Sequence, residues 1–504
     1  MEAQSHRWRE PHPIAGVCVA VILAVSYGLT LAPGVTWAND GVDSGDLLTA
    51  VATNGVPHPT GYPTYLLLAR LFLMLPLGPP AQQQAVLSAV SAIAAALAVG
   101  AIVHRLGGGS RWNSALAGAL AALWLGWSPR FWSQAVIVEI YSLHLLFCAS
   151  LWWYAVQHRR PGDTRWGWGD RAAGFIAGLA LGNHLTVIFP ILVVFGFAVL
   201  HRPRVGRLRR LAALLLWAAL GVQVYLYLPL VGSASSAASW GDPSSVAGLH
   251  WLVTGELYQG MAFTVSPAQL AGRLRMFAAF PLDEFGPVGL AMGLWGLARA
   301  RADLARLRAA MGVAVLATAA FALGYSSYDA HVYLLPLSML FAVWVGVGVT
   351  DLLARVESRP PLAALTAAAL LASAALTVPS AAAAADARGD RRAIEFASRV
   401  LREAPAGAIL LTSEDRDTFP LWYYHVAQGM RPDLAVVAGP LLPFDWYQAN
   451  LQEAYPSLRL PASVRSGWDV VLLTRNPGRP FCWTQPGQAE VLRCTAIEAT
   501  NHSP

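Results

Sequence analysis

The stretch QQQAVLSAVSAIAAALAVGAIV, from Gln82 to Val103, contains no charged side chain. A helix of about 20 apolar residues is long enough to cross the hydrocarbon core of a bilayer. Similar runs recur between Ile14 and Pro379, and the chain of 504 residues is 56% hydrophobic and only 13% charged, whereas a soluble domain carries about 25% charged residues. The sequence therefore predicts an all-α polytopic membrane protein.

Apolar runs predict about eleven transmembrane helices. The candidate spans are 14–33, 82–103, 114–128, 138–157, 172–184, 185–200, 211–230, 286–300, 311–325, 332–350 and 361–379. The segment 61–78 is apolar but short and contains Arg70. If it does not cross, the arginine-rich loops all fall on the side of Arg7 and Arg9, as the positive-inside rule requires. We therefore interpret it as an interfacial helix.

The net charge of +6 is explained by this orientation and does not indicate a nucleic-acid partner. A cytoplasmic N-terminus, in a bacterial inner membrane, leaves loops 34–81 and 231–285 and everything after about residue 380 outside. The sequence predicts two domains, a membrane domain at 1–379 and a small soluble α/β domain at 380–504.

The second domain begins with a segment that reads as a flexible linker, PSAAAAADARGD. Its pattern then predicts helices at RRAIEFASRVLREAP and DWYQANLQEAY, and strands at GAILLT, LAVVA and WDVVLLT. Cys482 and Cys494 can pair if this domain faces an oxidising compartment.

Polar residues collect on the predicted outer side of the membrane. They are Asp40, Asp43, Asp46, His58, Glu139, Asn183, His184, Asp242, Asp329 and His331. Ionisable groups at membrane depth are costly and indicate function, so this one-sided distribution predicts an outer vestibule. Simpler interpretations stay open: Asp43 fits a helix N-cap, His58 can fix a turn before Pro59, and Asn183 can join two helices.

The chemistry of such a vestibule favours a carboxylate acting as general base on a hydroxyl. The sequence contains neither a Gly-rich phosphate loop nor a metal-ligand pattern of diagnostic spacing. An acidic pair can still hold a divalent cation, so a metal cofactor stays open.

Several motifs resemble a family of multi-spanning proteins that includes the eukaryotic membrane O-mannosyltransferases acting on plexin-type, immunoglobulin-like domains. The matching stretches are DSGDLLTAV…GVPHPTGYPTYLLLARLF, VIVEIYSLH, GLALGNHLTVIFP, YLYLPLVGSASSAASWGDPSS and DRDTFPLWYYHVAQGMRPDLAVVAGPLL. That family is similar to the GT-C class of glycosyltransferases, which use polyprenyl- or dolichyl-phosphate sugars. The resemblance implies inverting transfer of a sugar, mannose or a relative, to an extracytoplasmic hydroxyl such as protein Ser or Thr.

The resemblance also implies roles for particular residues. By position, Asp43 is the general base and Asp46 the second acid, although the family often has Glu where this chain has Asp46. The implied substrate-binding residues are His58, Tyr62, Glu139, Tyr141, Asn183, His184, Asp242 and His331. A cation is needed at the leaving phosphate, and the candidates are Arg70, Arg130 and Arg273.

Three alternatives to protein glycosylation remain at this stage. The acceptor can be a glycolipid or a cell-wall polymer, because the same site would serve. A flippase of lipid-linked sugar needs a polar path across the membrane, whereas the ionisable residues lie at one face. A scaffold leaves the acidic loop and Glu139 without a role.

Overall fold

A computed structural model of the protein describes residues 13–108, 110–158, 167–200, 204–232, 236–460 and 467–495. Arg7, Arg9 and the arginines at 159, 160, 165 and 202, which enter the orientation argument, lie outside this part of the chain. The helices up to residue 376 are α1 (Pro13–Gly28), α2 (Ser44–Thr53), α3 (Pro63–Leu73), α4 (Pro80–Leu106), α5 (Arg111–Gly126), α6 (Pro129–Ala135), α7 (Tyr141–Gln157), α8 (Trp168–Leu181), α9 (Ile188–Leu200), α10 (Arg204–Val222), α11 (Tyr227–Val231), α12 (Val246–Val253), α13 (Glu256–Gln259), α14 (Pro267–Arg299), α15 (Ala305–Gly324), α16 (Leu335–Val356) and α17 (Pro360–Leu376).

Within the described residues, five helical segments are long and apolar enough to cross a membrane. They are Pro80–Leu106, Gly206–Val231, Ala302–Gly324, Ala330–Val356 and Pro360–Ala385. The fourth is central, with 83% of its apolar window buried in the protein, so neighbouring helices rather than lipid surround it. The integral-membrane character predicted from the sequence is thus built around α16.

Breaks between helices fall close to the predicted span ends. The span predicted to begin at 138 begins as a helix at Tyr141, after an irregular turn at 136–140. The uncertain boundary near residue 184 is a break between α8 and α9, and α14 is interrupted at Gly286, whose φ is 64°. These breaks matter because they carry Glu139, Asn183 and His184.

The segment 61–78 forms only the 11 residues of α3. At about 1.5 Å per residue this helix is too short to cross a bilayer. The length and bounds of α3 agree with the interpretation of 61–78 as an interfacial helix.

The C-terminal part contains helices α18 (Val378–Ala385), α19 (Arg392–Glu403), α20 (Asp415–Leu421), α21 (Asp445–Ala454) and α22 (Trp468–Arg475). Its strands are β1 (Ile409–Thr412), β2 (Ala435–Ala438), β3 (Phe481–Thr484) and β4 (Leu492–Cys494). The sheet order is β2-β1-β3-β4, with β4 antiparallel to β3 and the other pairs parallel. Cys482 and Cys494 face each other across β3 and β4 and form a disulfide.

Two local predictions for this part are wrong. WDVVLLT is helix α22, which buries Leu472 and exposes Val470, because a short apolar run fits one helix face as well as a strand. The sheet position beside β1 is taken by β3. The supposed flexible linker includes α18, which buries Ala381 and Ala385 completely.

The C-terminal part shares one apolar core with the first loop and the loop after α11. This core joins Val35, Leu47 and Trp240 to Phe396, Phe419 and Trp422. Asp390 adds polar contacts, accepting hydrogen bonds from Thr36 Oγ1 at 2.6 Å and from the backbone N–H of Ala38 at 2.7 Å. The C-terminal part is therefore held against the first loop.

Candidate active site

The first loop brings its acids together through the short helix α2. Asp43 occupies the N-cap position but makes no capping hydrogen bond with its side chain, so the N-cap interpretation does not account for its carboxylate. Asp46 lies one turn further along, which places both carboxylates against the same partner, His58. Gly45, between them, allows the backbone of Phe419 to approach α2 closely.

Asp46 fixes the position of the His58 ring. The Asp46 Oδ2 atom accepts hydrogen bonds from the His58 backbone N–H at 2.9 Å and from the ring Nδ1 at 2.7 Å. The other oxygen, Oδ1, accepts from the indole Nε1 of Trp240 at 3.1 Å. Asp46 is completely buried, so it orients the imidazole and does not reach a substrate itself.

The exposed edge of His58 faces the cavity. Its Nε2 lies 2.8 Å from the hydroxyl of Tyr62 and 3.5 Å from Oδ2 of Asp43. One third of the Asp43 side chain, 34%, is exposed, whereas Asp46 exposes none. Asp43 is therefore the carboxylate of this pair that a bound molecule can touch.

The surroundings raise the pKa of both Asp43 and His58. Burial raises the pKa of Asp43 to about 7, although the charge of His58 opposes the rise. Burial works against protonation of His58, but Asp43 and Asp46 outweigh it and raise the His58 pKa to about 9. A carboxylate with a pKa near the working pH is suited to accept a proton from a hydroxyl.

These residues line a cavity of about 630 Å³. Five of the residues predicted from the sequence contribute to its wall: Asp43, His58, Tyr62, Tyr141 and His184. A first group of aromatic rings, linked by centroid distances of 5.1–6.2 Å, contains Tyr141, His184, Phe189, Phe321, Tyr325 and Tyr333. A second group surrounds His58 and contains Tyr62, Tyr258 and Phe419.

Two predicted residues, Glu139 and Asn183, are buried and do not line the cavity. Glu139 is buried on the turn before α7, where its carboxylate accepts a hydrogen bond from the Ile140 backbone N–H at 3.3 Å. Asn183 donates from its side chain to the Ile140 carbonyl at 3.3 Å, which is the helix-joining role left open from the sequence. His184 contacts the hydroxyl of Thr186 at 2.7 Å, and its ring packs against those of Tyr141 and Tyr333.

Two further predicted residues lie outside the cavity wall. Asp242 accepts a hydrogen bond from Ser244 on an exposed turn. His331 approaches Asp40, with 3.3 Å between Nε2 and Oδ2. Asp329, two residues before His331, does line the cavity.

The three arginine candidates for the phosphate also lie outside the wall. Arg130 forms an ion pair with Glu284 at 2.6 Å. Arg273 donates to the backbone carbonyls of Ala322, Tyr325 and Ser327, so it holds the end of α15 in place. In Arg70, which lies over the Tyr227 ring, Nε and Nη2 are buried without a hydrogen-bond partner among the described residues.

The residues at the site that the sequence analysis did not single out include Trp240, Tyr258, Asp415 and Phe419. Trp240 lies two residues before Asp242, in a stretch that carried part of the resemblance but from which the sequence analysis named only Asp242. Asp415 and Phe419 belong to DRDTFP, which carried part of the resemblance. Among the described residues, no group of three or more His, Cys, Asp or Glu side chains is placed to hold a metal ion.

Comparison with known proteins identifies relatives of both parts. Residues 43–205 match the family model of the protein O-mannosyl-transferase TMEM260 N-terminal domain, and residues 393–467 match TMEM260-associated domain 2. The protein O-mannosyl-transferase TMEM260 of Mus musculus is 26% identical over 486 residues, and that of Dictyostelium discoideum is 21% identical over 504 residues. The alignments cover 90% and 89% of this chain but only 66% and 60% of those relatives.

Solved structures share the architecture. ArnT from Cupriavidus metallidurans bound to undecaprenyl phosphate gives a TM-score of 0.58 at 14% identity, covering 94% of this chain and 93% of that one. The apo form of ArnT gives 0.57, also at 14% identity, with 94% and 92% covered. At this identity the likeness concerns the fold.

The protein is therefore an integral membrane protein with the GT-C fold, and the predicted all-α membrane part with a small C-terminal α/β part is confirmed. The two family models and the two curated relatives then narrow the class. Both family models and both relatives support the resemblance to TMEM260 protein O-mannosyl-transferases that the motifs indicated.

Proposed function

We propose that the chain transfers one mannose from a polyprenyl-phosphate donor to a hydroxyl of an extracytoplasmic acceptor, with inversion at the anomeric carbon. The observation that carries the proposal is Asp43, exposed to a cavity and 3.5 Å from the imidazole that Asp46 orients. The relatives named O-mannosyl-transferase support the sugar, and ArnT with undecaprenyl phosphate supports the lipid carrier.

Asp43 accepts the proton of the acceptor hydroxyl while the acceptor oxygen forms a bond to the anomeric carbon. The bond from that carbon to the phosphate oxygen breaks, and polyprenyl phosphate leaves with the electron pair. His58 holds Asp43 in place, and Tyr62 and Asp46 act as positioning residues through His58. His184 and Tyr141 belong to the aromatic wall against which the sugar packs.

The two sides of the cavity suit the two substrates. Phe189 and Phe321 lie on the apolar helices α9 and α15, so this side accommodates a lipid-linked donor. None of the three candidate arginines lines the cavity; Arg70 differs from the ion-paired Arg130 in having two nitrogens without a hydrogen-bond partner among the described residues. The disulfide between Cys482 and Cys494 supports an extracytoplasmic C-terminal domain.

Turnover separates the proposal from its alternatives. Purified protein in lipid vesicles receives radiolabelled polyprenyl-phosphate mannose and a mixture of exported proteins and glycolipids. Label covalently bound to protein supports the proposal, and label in glycolipid moves the acceptor to the second class. Label that crosses the bilayer on intact donor indicates a flippase and contradicts a transferase.

The pH profile tests the assignment of the base. Since the Asp43 pKa is raised to about 7, kcat/KM is expected to rise as pH increases through about 7 and Asp43 ionises. Loss of the His58 proton, whose pKa is raised to about 9, gives the falling limb near pH 9. Because Asp43 and His58 interact, the two limbs report the pair rather than either residue alone. A rising limb near pH 4 would contradict the proposed environment of Asp43.

Trp240→Phe tests the support of His58. The change keeps an aromatic ring but removes the N–H that binds Asp46 Oδ1, so the Asp46 charge acts more strongly on the imidazole and raises the pKa of His58. We expect kcat to fall about tenfold. The falling limb should move to higher pH, while the donor KM stays unchanged.

Trp446→Phe is the matched control for that change. Trp446 packs 6.0 Å from Trp240, but its indole nitrogen has no hydrogen-bond partner in the described residues. The control should leave the pH profile unchanged. Equal pH profiles for wild type and Trp240→Phe would mean that Trp240 only packs.

A further inference from the structure

The C-terminal part supplies a section of the cavity wall. Asp415 and Phe419, both on α20, line the cavity beside Asp43 and His58. The Phe419 ring stacks on the His58 imidazole at 6.2 Å with 14° between the planes. The α21 side chain of Asn450 also donates to the Ser239 carbonyl at 2.9 Å, next to Trp240. This part of the chain therefore reaches the reacting groups directly.

Asp415 stands on the side away from the apolar helices. The first ring group lies along α9, α15 and the start of α16, where a lipid chain can approach. The second group, with Tyr258 and Phe419, is built by the segment after α12 and by α20, and neither belongs to the long apolar helices. A donor arriving along the helices leaves the α20 side for the acceptor.

Charge on the cavity wall limits which acceptor can enter. The wall contains the carboxylates of Asp43, Asp329 and Asp415 against one protonated imidazole, that of His58, and none of the described residues that line it is Arg. The chain has no Lys to add positive charge there. Like charges brought together in a partly buried site repel strongly, so an anionic acceptor is disfavoured.

We propose that Asp415 contacts the acceptor and selects a neutral or basic polypeptide segment bearing a Ser or Thr hydroxyl over an anionic polymer. This rests on the function proposed above and adds the acceptor class to it. A carboxylate at this place accepts hydrogen bonds from backbone N–H groups of an extended peptide or pairs with its Lys and Arg side chains. Although burial raises the Asp415 pKa to about 6, the group is mostly ionised at neutral pH.

The test uses three synthetic peptides with one central Thr and with flanks of Lys, Gln or Glu. Transfer is measured with the full-length protein in nanodiscs and labelled polyprenyl-phosphate mannose. For wild type we expect the order Lys, then Gln, then Glu in kcat/KM. For Asp415→Asn we expect the KM of the Lys peptide to rise about tenfold, with the donor KM and kcat little changed.

Two variants separate recognition from folding. Asp415→Glu keeps the charge and should keep the order of the peptides. Asp445→Asn makes the same chemical change on the exposed start of α21, outside the cavity, and should behave as wild type.

A changed donor KM with an unchanged peptide order in Asp415→Asn would overturn the inference and leave the proposed function standing. Preference of wild type for the Glu peptide would do the same. If wild type transfers mannose to none of the peptides, the function itself fails and the inference fails with it.

Discussion

Replacing Asp43 with Asn is expected to lower mannose transfer by about 10²- to 10⁴-fold, the usual contribution of a positioned general base. Asn keeps the shape of the side chain and the contact with His58, which lies 3.5 Å away, but it cannot accept the hydroxyl proton. Because the donor is held mainly by other residues, its KM should stay close to the wild-type value. Single-turnover transfer with labelled donor measures the loss.

Asp386→Asn is the matched control. Asp386 pairs with Arg388 at 2.9 Å and does not line the cavity. Its variant should retain full transfer and the same thermal unfolding temperature as Asp43→Asn. Transfer by Asp43→Asn at the wild-type rate would remove Asp43 from the role of base.

The same change should also remove the rising limb of the pH profile. In wild type this limb reports ionisation of Asp43, whose pKa burial raises to about 7. With saturating acceptor, so that titration of Asp415 does not limit binding, the residual rate of the variant should therefore be flat between pH 5 and pH 8. A limb that persists would assign the titration to another carboxylate, of which Asp415, with a pKa raised to about 6, is the nearest in kind.

The membrane part was predictable because its signal is local. Long apolar runs and arginine-rich loops define helices without knowledge of their neighbours. The acidic part of the first loop was also predictable, because Asp43, Asp46 and His58 lie close in sequence. The three-residue spacing of the two acids brings both to one side of a helix.

The other half of the site was hidden by sequence distance. Trp240 donates to Asp46 across 194 positions, and no spacing rule connects them. The sequence analysis named the carboxylate of Asp242 in that stretch and passed over Trp240 two positions earlier. The sequence does not reveal Asp415, because its place in the cavity wall depends on how α20 packs against α2. A flexible linker before α20, as the sequence suggests, gives no reason to expect that packing.

Errors in the C-terminal part have a related cause. WDVVLLT has the composition of a strand, but strand or helix is decided by which segment reaches the sheet position beside β1. The segment Phe481–Thr484 takes that position and is tied to β4 by the disulfide. Alanine-rich α18 gave no amphipathic signal, although Ala381 and Ala385 are fully buried against neighbouring helices.

Docking of the C-terminal part makes Gly45→Ala the second change with a large expected effect. A Cβ at Gly45 would lie 2.4 Å from the Phe419 carbonyl oxygen and 2.5 Å from its carbonyl carbon. Both are backbone atoms, so α20 has to move away from α2 as a unit. Overpacking of this kind costs about 1–3 kcal/mol. The displacement of Phe419 from His58 should lower acceptor kcat/KM by about 100-fold, as expected for a shift of about 1 Å at a reacting site.

Gly196→Ala is the control, because Gly196 is also helical and has nothing within 4 Å of an added Cβ. It should match wild type in activity and unfold at the same or a higher temperature, since Ala favours a helix over Gly. Activity is compared well below the unfolding temperature of each variant, so that loss of folded protein does not enter. In Gly45→Ala the donor KM should stay unchanged while the acceptor KM rises. The reason is that α9 and α15 build the donor side of the cavity, and α20 does not support them. Equal loss of both would mean that α20 holds the whole cavity together rather than its acceptor side.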